Sequence, residues 1–124
     1  MPWCGISGAH STEFRLSYVS GIMTVTWCKI SLDNNGDLDL KESLSKAKEL
    51  GFSRIFLEAG ARLTTSFFNK KLIDDFKLFI SSKRLGKNGS RSVKKYLKSF
   101  LKNKKKIVEK VNLSGDKLIS YKIK

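Results

Sequence analysis

The sequence has few of the residues from which metal sites and disulfide frameworks are built. It contains two cysteines, one histidine and one proline in 124 residues. Cys4 and Cys28 lie far apart and neither belongs to a C-x-x-C pair, so neither a zinc site nor a disulfide framework is indicated. His10 is not part of an H-x-E sequence, the signature of zinc deaminases. We therefore expect buried or inert thiols and no metal.

Long apolar runs are also missing. No stretch approaches the roughly 18 residues needed to span a bilayer, and the N-terminus has no basic region followed by an apolar segment. Apolar residues make up 40% of the chain and charged residues 29%, which is typical of a globular protein rather than a disordered one. These features predict a cytoplasmic protein without a membrane partner, built as one small domain at most.

The positive charge is confined to the second part of the chain. Residues 1–69 contain seven Lys/Arg and seven Asp/Glu, whereas residues 70–124 contain eighteen against four, so the whole net charge of +14 belongs there. Such a one-sided excess is typical of proteins that bind nucleic acid, membrane surfaces or phosphorylated ligands. The charge does not distinguish among these partners.

The first half of the chain alternates between strand and helix signals. Apolar residues in the segment 1–20 recur with neither the period of two of a strand nor the period of 3.6 of a helix, and the segment is predicted to be irregular. Residues 22–30 are rich in β-branched and aromatic side chains and predict a strand. Turn residues at 33–37 precede a helix over 40–50, where apolar residues recur at helical spacing. A short apolar strand over 53–57 follows.

The second half continues this alternation. A short helix is predicted after residue 60, fraying near residue 69. The remaining predicted elements are a strand over 72–80, a loop over 81–91, a basic helix from 93 to 101, and a hairpin whose strands cover 105–111 and 117–123. The order of elements predicts an α/β fold.

The turn Glu58-Ala59-Gly60 joins a short strand directly to a helix, an arrangement suited to phosphate. The first N–H groups and the positive dipole end of a helix attract anions, and small residues allow close approach of the backbone. Arg62 adds a formal charge at this end, and further hydrogen bonds can come from the hydroxyl groups of Thr64, Thr65 and Ser66. Spacing alone favours a tight strand-to-helix connection that binds nothing.

The residues around this turn resemble a known family. Residues 53–67 and Leu72-Ile73-Asp74-Asp75 are similar to the reductase domain of the bifunctional deaminase-reductase of riboflavin biosynthesis, whose pattern is strand, Glu-Gly/Ala-Gly, aliphatic helix and Leu-Val-Asp-Glu. Weaker similarities occur at residues 35–40, at Arg84-Leu85-Gly86 and at Gly115-Asp116. Together they cover residues 30–123.

The resemblance implies the C-terminal part of a dihydrofolate-reductase-like fold, with a central mixed sheet and flanking helices. It also implies NADPH-dependent reduction of the ribose of 5-amino-6-(5-phosphoribosylamino)uracil to the ribityl form. Glu58 would lie on the substrate side, and no catalytic residue is assigned. By the same resemblance, the cofactor phosphates would be held by Gly60, Ala61, Arg62, Leu63, Thr64, Thr65 and Ser66.

Several positions depart from the family pattern. Ala59 stands where a second glycine is commoner, Asp75 replaces Glu, and Ser81-Ser82 replaces an Ala-Pro pair. Residues 1–29 have no counterpart in the family's N-terminal half, so we divide the chain into a poorly matched segment, 1–29, and the C-terminal part of a reductase domain, 30–124. The chain is therefore expected to be a fragment, and whether it is active by itself is left open.

Three rival interpretations remain. Counting from Gly36 places Asp33, Asn35, Asp39 and Glu42 at ligand positions of an EF-hand loop, although Ser31 occupies the first position, where Asp is expected.

A non-catalytic module could bind nucleic acid through lysines at 94, 95, 98, 102 and 104–106, interleaved with Tyr96 and Phe100. The same two aromatics could instead belong to a core stripe with Val93 and Leu97. Lastly, an inactive chain could pair through exposed strand edges, as in a homodimer.

Overall fold

The computed structural model describes residues 3–10, 13–20, 22–84, 86, 93–109 and 114–124, and gives the backbone only for those before 28 and for 93 and 94. The chain divides into two compact units, Met1–Thr64 and Thr65–Lys124. The α/β class predicted from the sequence is confirmed. The predicted division between residues 29 and 30 stays a prediction.

The first unit contains a four-stranded mixed sheet in the order β3-β2-β1-β4. Strand β2 pairs antiparallel with both β1 and β3, and β1 pairs parallel with β4. The bounds of the four strands are β1 Trp3–His10, β2 Glu13–Ser20, β3 Ile22–Lys29 and β4 Arg54–Leu57. The strands predicted at 22–30 and 53–57 are therefore confirmed.

The prediction of irregular structure over residues 1–20 is wrong, because β1 and β2 lie there. Residues 13–18 alternate polar and apolar side chains, and this period of two is typical of a strand. Strand β1, Trp-Cys-Gly-Ile-Ser-Gly-Ala-His, has a weak signal of its own because it contains two glycines. Its conformation is stabilised by hydrogen bonding on both sides, to β2 and to β4.

The turn and helix predicted after β3 are confirmed. Helix α1, Leu40–Glu49, begins at Asp39, whose carboxylate accepts hydrogen bonds from the N–H groups of Lys41 and Glu42. Its C-cap residue is Leu50, the next residue, Gly51, adopts a left-handed φ of 88°, and the amides of Gly51 and Phe52 donate to carbonyl groups of the last turn. These are the cap residues that a helix of this length requires.

The second unit contains a three-stranded antiparallel sheet in the order β5-β7-β6. Its strands are β5 Asp75–Ile80, β6 Lys105–Glu109 and β7 Lys117–Lys122, and helix α3 spans Val93–Leu101. The predicted hairpin and basic helix are confirmed. Strand β5 begins three residues later than predicted, because Leu72 donates its N–H to the carbonyl of Phe67 and so belongs to the end of the preceding helix.

That preceding helix, α2, spans Ala61–Asn69 and carries the main aromatic contacts of the core. Phe68 is buried and stacks on Phe100 with ring centroids 4.9 Å apart, while the ring of Phe76 meets it edge-on at 5.3 Å. Tyr121 lies 6.3 Å from Phe76. These four rings hold α2 and α3 against one face of the second sheet.

The described strands form a four-stranded mixed sheet in the first unit and a three-stranded antiparallel sheet in the second, and one central mixed sheet stays a prediction. Strand β4 pairs only with β1, and β5 pairs only with β7, among the residues that the structure describes. The chain between these two strands forms helix α2. The coarser prediction, strands flanked by three helices, is correct.

The loop after β5 is fastened to the turn before β7. The carboxylate of Asp116 accepts hydrogen bonds from the backbone N–H of Ser82 at 2.8 Å and from the hydroxyl groups of Ser81 and Ser82 at 3.1 and 3.2 Å. The Ser81-Ser82 pair that departs from the family pattern is thus bonded to Gly115-Asp116, another segment of the resemblance. The two serines supply donors that an Ala-Pro pair lacks.

These contacts predict an acid-sensitive contribution to stability. Chiefly the Ser82 N–H, and then the two hydroxyl groups, lower the pKa of Asp116 below its ordinary value. A lowered folded-state pKa stabilises the protein above the unfolded value, and this contribution disappears as the pH falls through the folded value. Asp116→Asn should therefore be less stable than wild type at neutral pH, and the difference should shrink below about pH 4. Urea unfolding at a series of pH values measures it; a constant difference down to pH 3 contradicts the assignment.

Candidate functional site

The predicted phosphate turn lies between the end of β4 at Leu57 and the start of α2 at Ala61. Thr64 fixes its shape: its N–H donates to the carbonyl oxygen of Gly60 at 3.1 Å, and its hydroxyl donates to the carbonyl oxygen of Ala59 at 3.3 Å. Thr64 is 8% exposed. The turn is therefore held by a buried side chain, and Gly60, whose carbonyl accepts the first bond of the helix, occupies the N-cap position.

Gly60 is exposed and leaves open space at the helix end. A Cβ built on this residue meets no atom within 4 Å among the described residues, and its φ lies outside the left-handed region. Neither backbone strain nor a crowded neighbour requires glycine at this position. The space in front of the first turn of α2 is thus accessible to a ligand group.

Arg62 adds positive charge in that first turn. Its guanidinium lies 2.8 Å from a carboxylate oxygen of Asp37, and the two side chains are 86% and 53% exposed. A cation near the N-terminus of a helix is opposed by the helix dipole, so the Asp37 carboxylate offsets an unfavourable charge. Asp37 was not predicted as a site residue, because it lies 25 residues from Arg62 and nothing in the spacing connects the two.

The remaining predicted site residues occupy two different environments. Glu58, at the carboxyl end of β4, is exposed; the partly buried residues are Ala61, Leu63, Thr65 and Ser66. All four of these belong to the first two turns of α2. The hydroxyl of Thr64 already donates to Ala59, so it supports the turn and is not aimed at a ligand. The roles of these residues toward a cofactor stay predictions.

The geometry of this turn favours an anion. Thr64 donates its N–H to the carbonyl oxygen of Gly60, and the turn before it lies at the positive end of the helix dipole. Together with the Arg62 guanidinium and the space at Gly60, this arrangement suits a phosphate group. The turn is thus suited to binding and orienting a ligand.

The acidic loop that resembled a calcium site is held together by its own backbone. One carboxylate oxygen of Asp33 accepts from the N–H groups of Asn35 and Asp37, and Glu42 accepts from the N–H of Ser31 at 2.9 Å. Across the described ranges, no group of three or more His, Cys, Asp or Glu side chains is arranged to hold a metal ion. The loop functions as a turn that leads into α1.

The basic helix α3 is partly a core element. Leu97 is buried and Phe100 stacks on Phe68, as the core-stripe interpretation predicts, whereas Tyr96 is 54% exposed and does not belong to that stripe. The side chains of Val93 and Lys94 lie outside the described residues. The exposed lysines are Lys95, Lys98, Lys102, Lys104, Lys105 and Lys106. Only one of the two proposed stacking aromatics is thus accessible, and nucleic-acid binding stays an untested prediction.

Two smaller expectations can be compared with the structure. Cys28 is buried and unpaired, as expected of an inert thiol, while the side chain of Cys4 lies outside the described residues. In the part of the chain that the structure describes, no helix is long and apolar enough to cross a bilayer.

Comparison with known proteins identifies the family. No curated protein matches the chain. Residues 9–113 match the family model described as RibD C-terminal domain. The match begins twenty-one residues before the resemblance found in the sequence, so it includes β2 and β3, and it ends before the Gly115-Asp116 turn. Because it covers most of the chain, the chain belongs to the RibD C-terminal domain family, which is the reductase-type domain of riboflavin biosynthesis.

Proposed function

We propose that the chain binds NADPH at the N-terminus of α2 and takes part in reducing the ribose of 5-amino-6-(5-phosphoribosylamino)uracil to the ribityl form. Family membership supports the reaction class. The single observation that supports the location is the exposed helix N-terminus at Gly60, with Arg62 in its first turn. The strands and helices would then be parts of a dihydrofolate-reductase-like fold.

The groups at this turn are chemically suited to a dinucleotide phosphate. Gly60 leaves the space that a bulky phosphate requires, and Arg62 provides a guanidinium that binds phosphate oxygens in a bidentate geometry. Thr64 acts indirectly, because its buried hydroxyl fixes the backbone that presents the amides. NADPH, when bound, supplies the hydride; the residues of this turn bind the phosphates and position the cofactor.

Glu58 would act toward the substrate rather than the cofactor. It follows β4 directly and is exposed, only two residues before Gly60. A carboxylate at this point could accept hydrogen bonds from ribose hydroxyl groups. Its proximity to the phosphate turn would place the sugar close to the cofactor, as hydride transfer requires.

Substitution of Gly60 tests the location of the phosphates. Asp and Asn both cap helices well, and the site of the new Cβ is open, so Gly60→Asp and Gly60→Asn should both fold. They differ only in charge. Gly60→Asp should bind NADPH at least about tenfold more weakly than Gly60→Asn, because its carboxylate would face the pyrophosphate.

Calorimetric titration with NADPH measures both affinities, and urea unfolding confirms that the variants are folded. The asparagine variant controls for steric effects at the same position. Equal NADPH affinities in the two variants would show that the cofactor phosphates do not bind at this turn.

Asp37 provides a test with the opposite sign. The carboxylate of Asp37 forms an ion pair with Arg62. The hydrogen bonds between Asp37 and Asp33 use the backbone N–H and C=O of Asp37, so they do not depend on its side chain. Asp37→Asn should therefore keep the turn, remove a carboxylate that competes with phosphate for the guanidinium, and strengthen NADPH binding by about two- to fivefold, the range expected for an exposed ion pair. Glu49→Gln removes a charge from another exposed pair, with Lys46, and serves as the control. Unchanged or weaker NADPH binding in Asp37→Asn would argue against a role for Arg62.

A further inference from the structure

The four acidic residues of the second unit are all engaged at its sheet. Three form ion pairs and the fourth is bonded to two serines. The contacts are Glu109 with Lys77 at 2.8 Å, Asp75 with Lys122 at 2.9 Å, Asp74 with Lys124 at 3.4 Å, and Asp116 with Ser81 and Ser82. Residues 70–124 contain eighteen Lys/Arg against these four acids. The positive charge of the unit is therefore not neutralised within it.

Helix α3 carries part of this surplus on its exposed side. Lys95 and Lys98 lie in the helix and Lys102 directly follows it, and all three are exposed. Their spacing of three and four residues places them on one helical face, about one turn apart. In the described ranges, none of the three forms an ion pair with an acidic residue. They form a row of cations that no carboxylate of the unit offsets.

The stability of the helix does not account for Lys95. A cation in the first turn is opposed by the helix dipole, and the first turn of α3 contains no acidic residue. Helix α1 has the favourable arrangement, with Glu42 in its first turn and Lys46 and Lys48 in its last. Repulsion between neighbouring cations on α3 adds to the unfavourable energy. A ligand with a row of negative charges would offset both effects.

Tyr96 provides an aromatic surface beside the three lysines. It is 54% exposed, whereas Leu97 is buried and Phe100 stacks on Phe68 in the core. Successive residues of a helix are rotated by about 100°, so Tyr96 flanks the face on which Lys95 lies. Proteins that bind single-stranded nucleic acid combine cations that contact the phosphates with aromatic rings on which the bases stack. Both kinds of group are accessible on α3.

We propose that single-stranded nucleic acid binds along α3, with its phosphates on Lys95, Lys98 and Lys102 and a base stacked on Tyr96. A duplex is a poorer partner, because its bases are stacked on one another and cannot cover the tyrosine ring. A membrane surface is also disfavoured. An interfacial helix inserts its apolar face into lipid, and Leu97 on the apolar face of α3 is only 3% exposed.

Removal of the three lysines tests the phosphate contacts on the full chain. Fluorescence anisotropy of a labelled single strand, over a series of salt concentrations, measures the affinity and its salt dependence. The variant Lys95→Gln/Lys98→Gln/Lys102→Gln should bind at least about tenfold more weakly. Its slope of log K against log salt should fall by about two, since each phosphate contact on a single strand contributes about 0.7.

The matched control removes the same charge from helix α1. Lys41→Gln/Lys46→Gln/Lys48→Gln replaces three exposed lysines of that helix, so the two triple variants have equal net charge. The control should keep nearly the affinity and the salt slope of wild type. An equal loss in both variants would overturn the proposal, because net charge alone would then explain the binding.

Substitution of Tyr96 tests the stacked base. Tyr96→Ala should bind the single strand at least about fivefold more weakly, with an unchanged salt slope, because stacking releases no counterions. Tyr96→Phe keeps the ring and should bind like wild type. Calorimetric titration with polyphosphate, a polyanion without bases, should give the same affinity for Tyr96→Ala as for wild type.

Several outcomes would overturn the proposal. They are a wild type that does not bind the single strand, a Tyr96→Ala variant that binds it like wild type, and equal or tighter binding of the matching duplex or of anionic phosphatidylserine vesicles. Circular dichroism confirms that the variants are folded. The lysine and tyrosine substitutions are independent, so either decides the matter if the other variant does not fold.

Discussion

The packing of Phe68 determines how helix α2 is turned about its axis. Phe68 stacks on Phe100 and meets Phe76 edge-on, and burial of a phenylalanine side chain contributes roughly 1.5–3 kcal/mol. Thr64, Phe67 and Phe68 form one buried stripe at positions i, i+3 and i+4 of the helix. In the first turn of the helix, Thr64 is buried and Arg62 is exposed.

Two residues of the first turn determine the shape and charge of the start of α2. Thr64, on the buried stripe, bonds to Ala59 and Gly60 and so fixes the turn, while Arg62 lies on the outer side and reaches Asp37. Positive charge from the dipole and from Arg62 is thereby concentrated beside an exposed glycine. One carboxylate partly neutralises it, and a phosphate group is the kind of ligand that can replace that carboxylate.

Local signals account for most of what the sequence predicted. Helix α1 has both an N-terminal capping residue and a C-terminal glycine. Turn residues separate strands β6 and β7. The first and last residues of these elements were therefore predicted closely. Strand β1 was not, because its conformation depends on β2 and β4 rather than on its own residues. The formation of two sheets and the contact between Asp37 and Arg62 also depend on the tertiary fold. The resemblance predicted a phosphate-binding role for the turn at Gly60, and the structure shows that Thr64 supports this turn.

The central claim is that the start of α2 recognises a phosphorylated dinucleotide and does not merely attract anions to a protein of net charge +14. Calorimetric titration of the purified chain with NADPH and NADH, each at moderate and high salt, tests it most directly, with a DNA oligonucleotide titrated in parallel. We expect saturable binding of NADPH that exceeds the binding of NADH and persists at high salt. Absence of NADPH binding, together with tight DNA binding that salt abolishes, would contradict it and make the lysine-rich surface the better explanation of the charge.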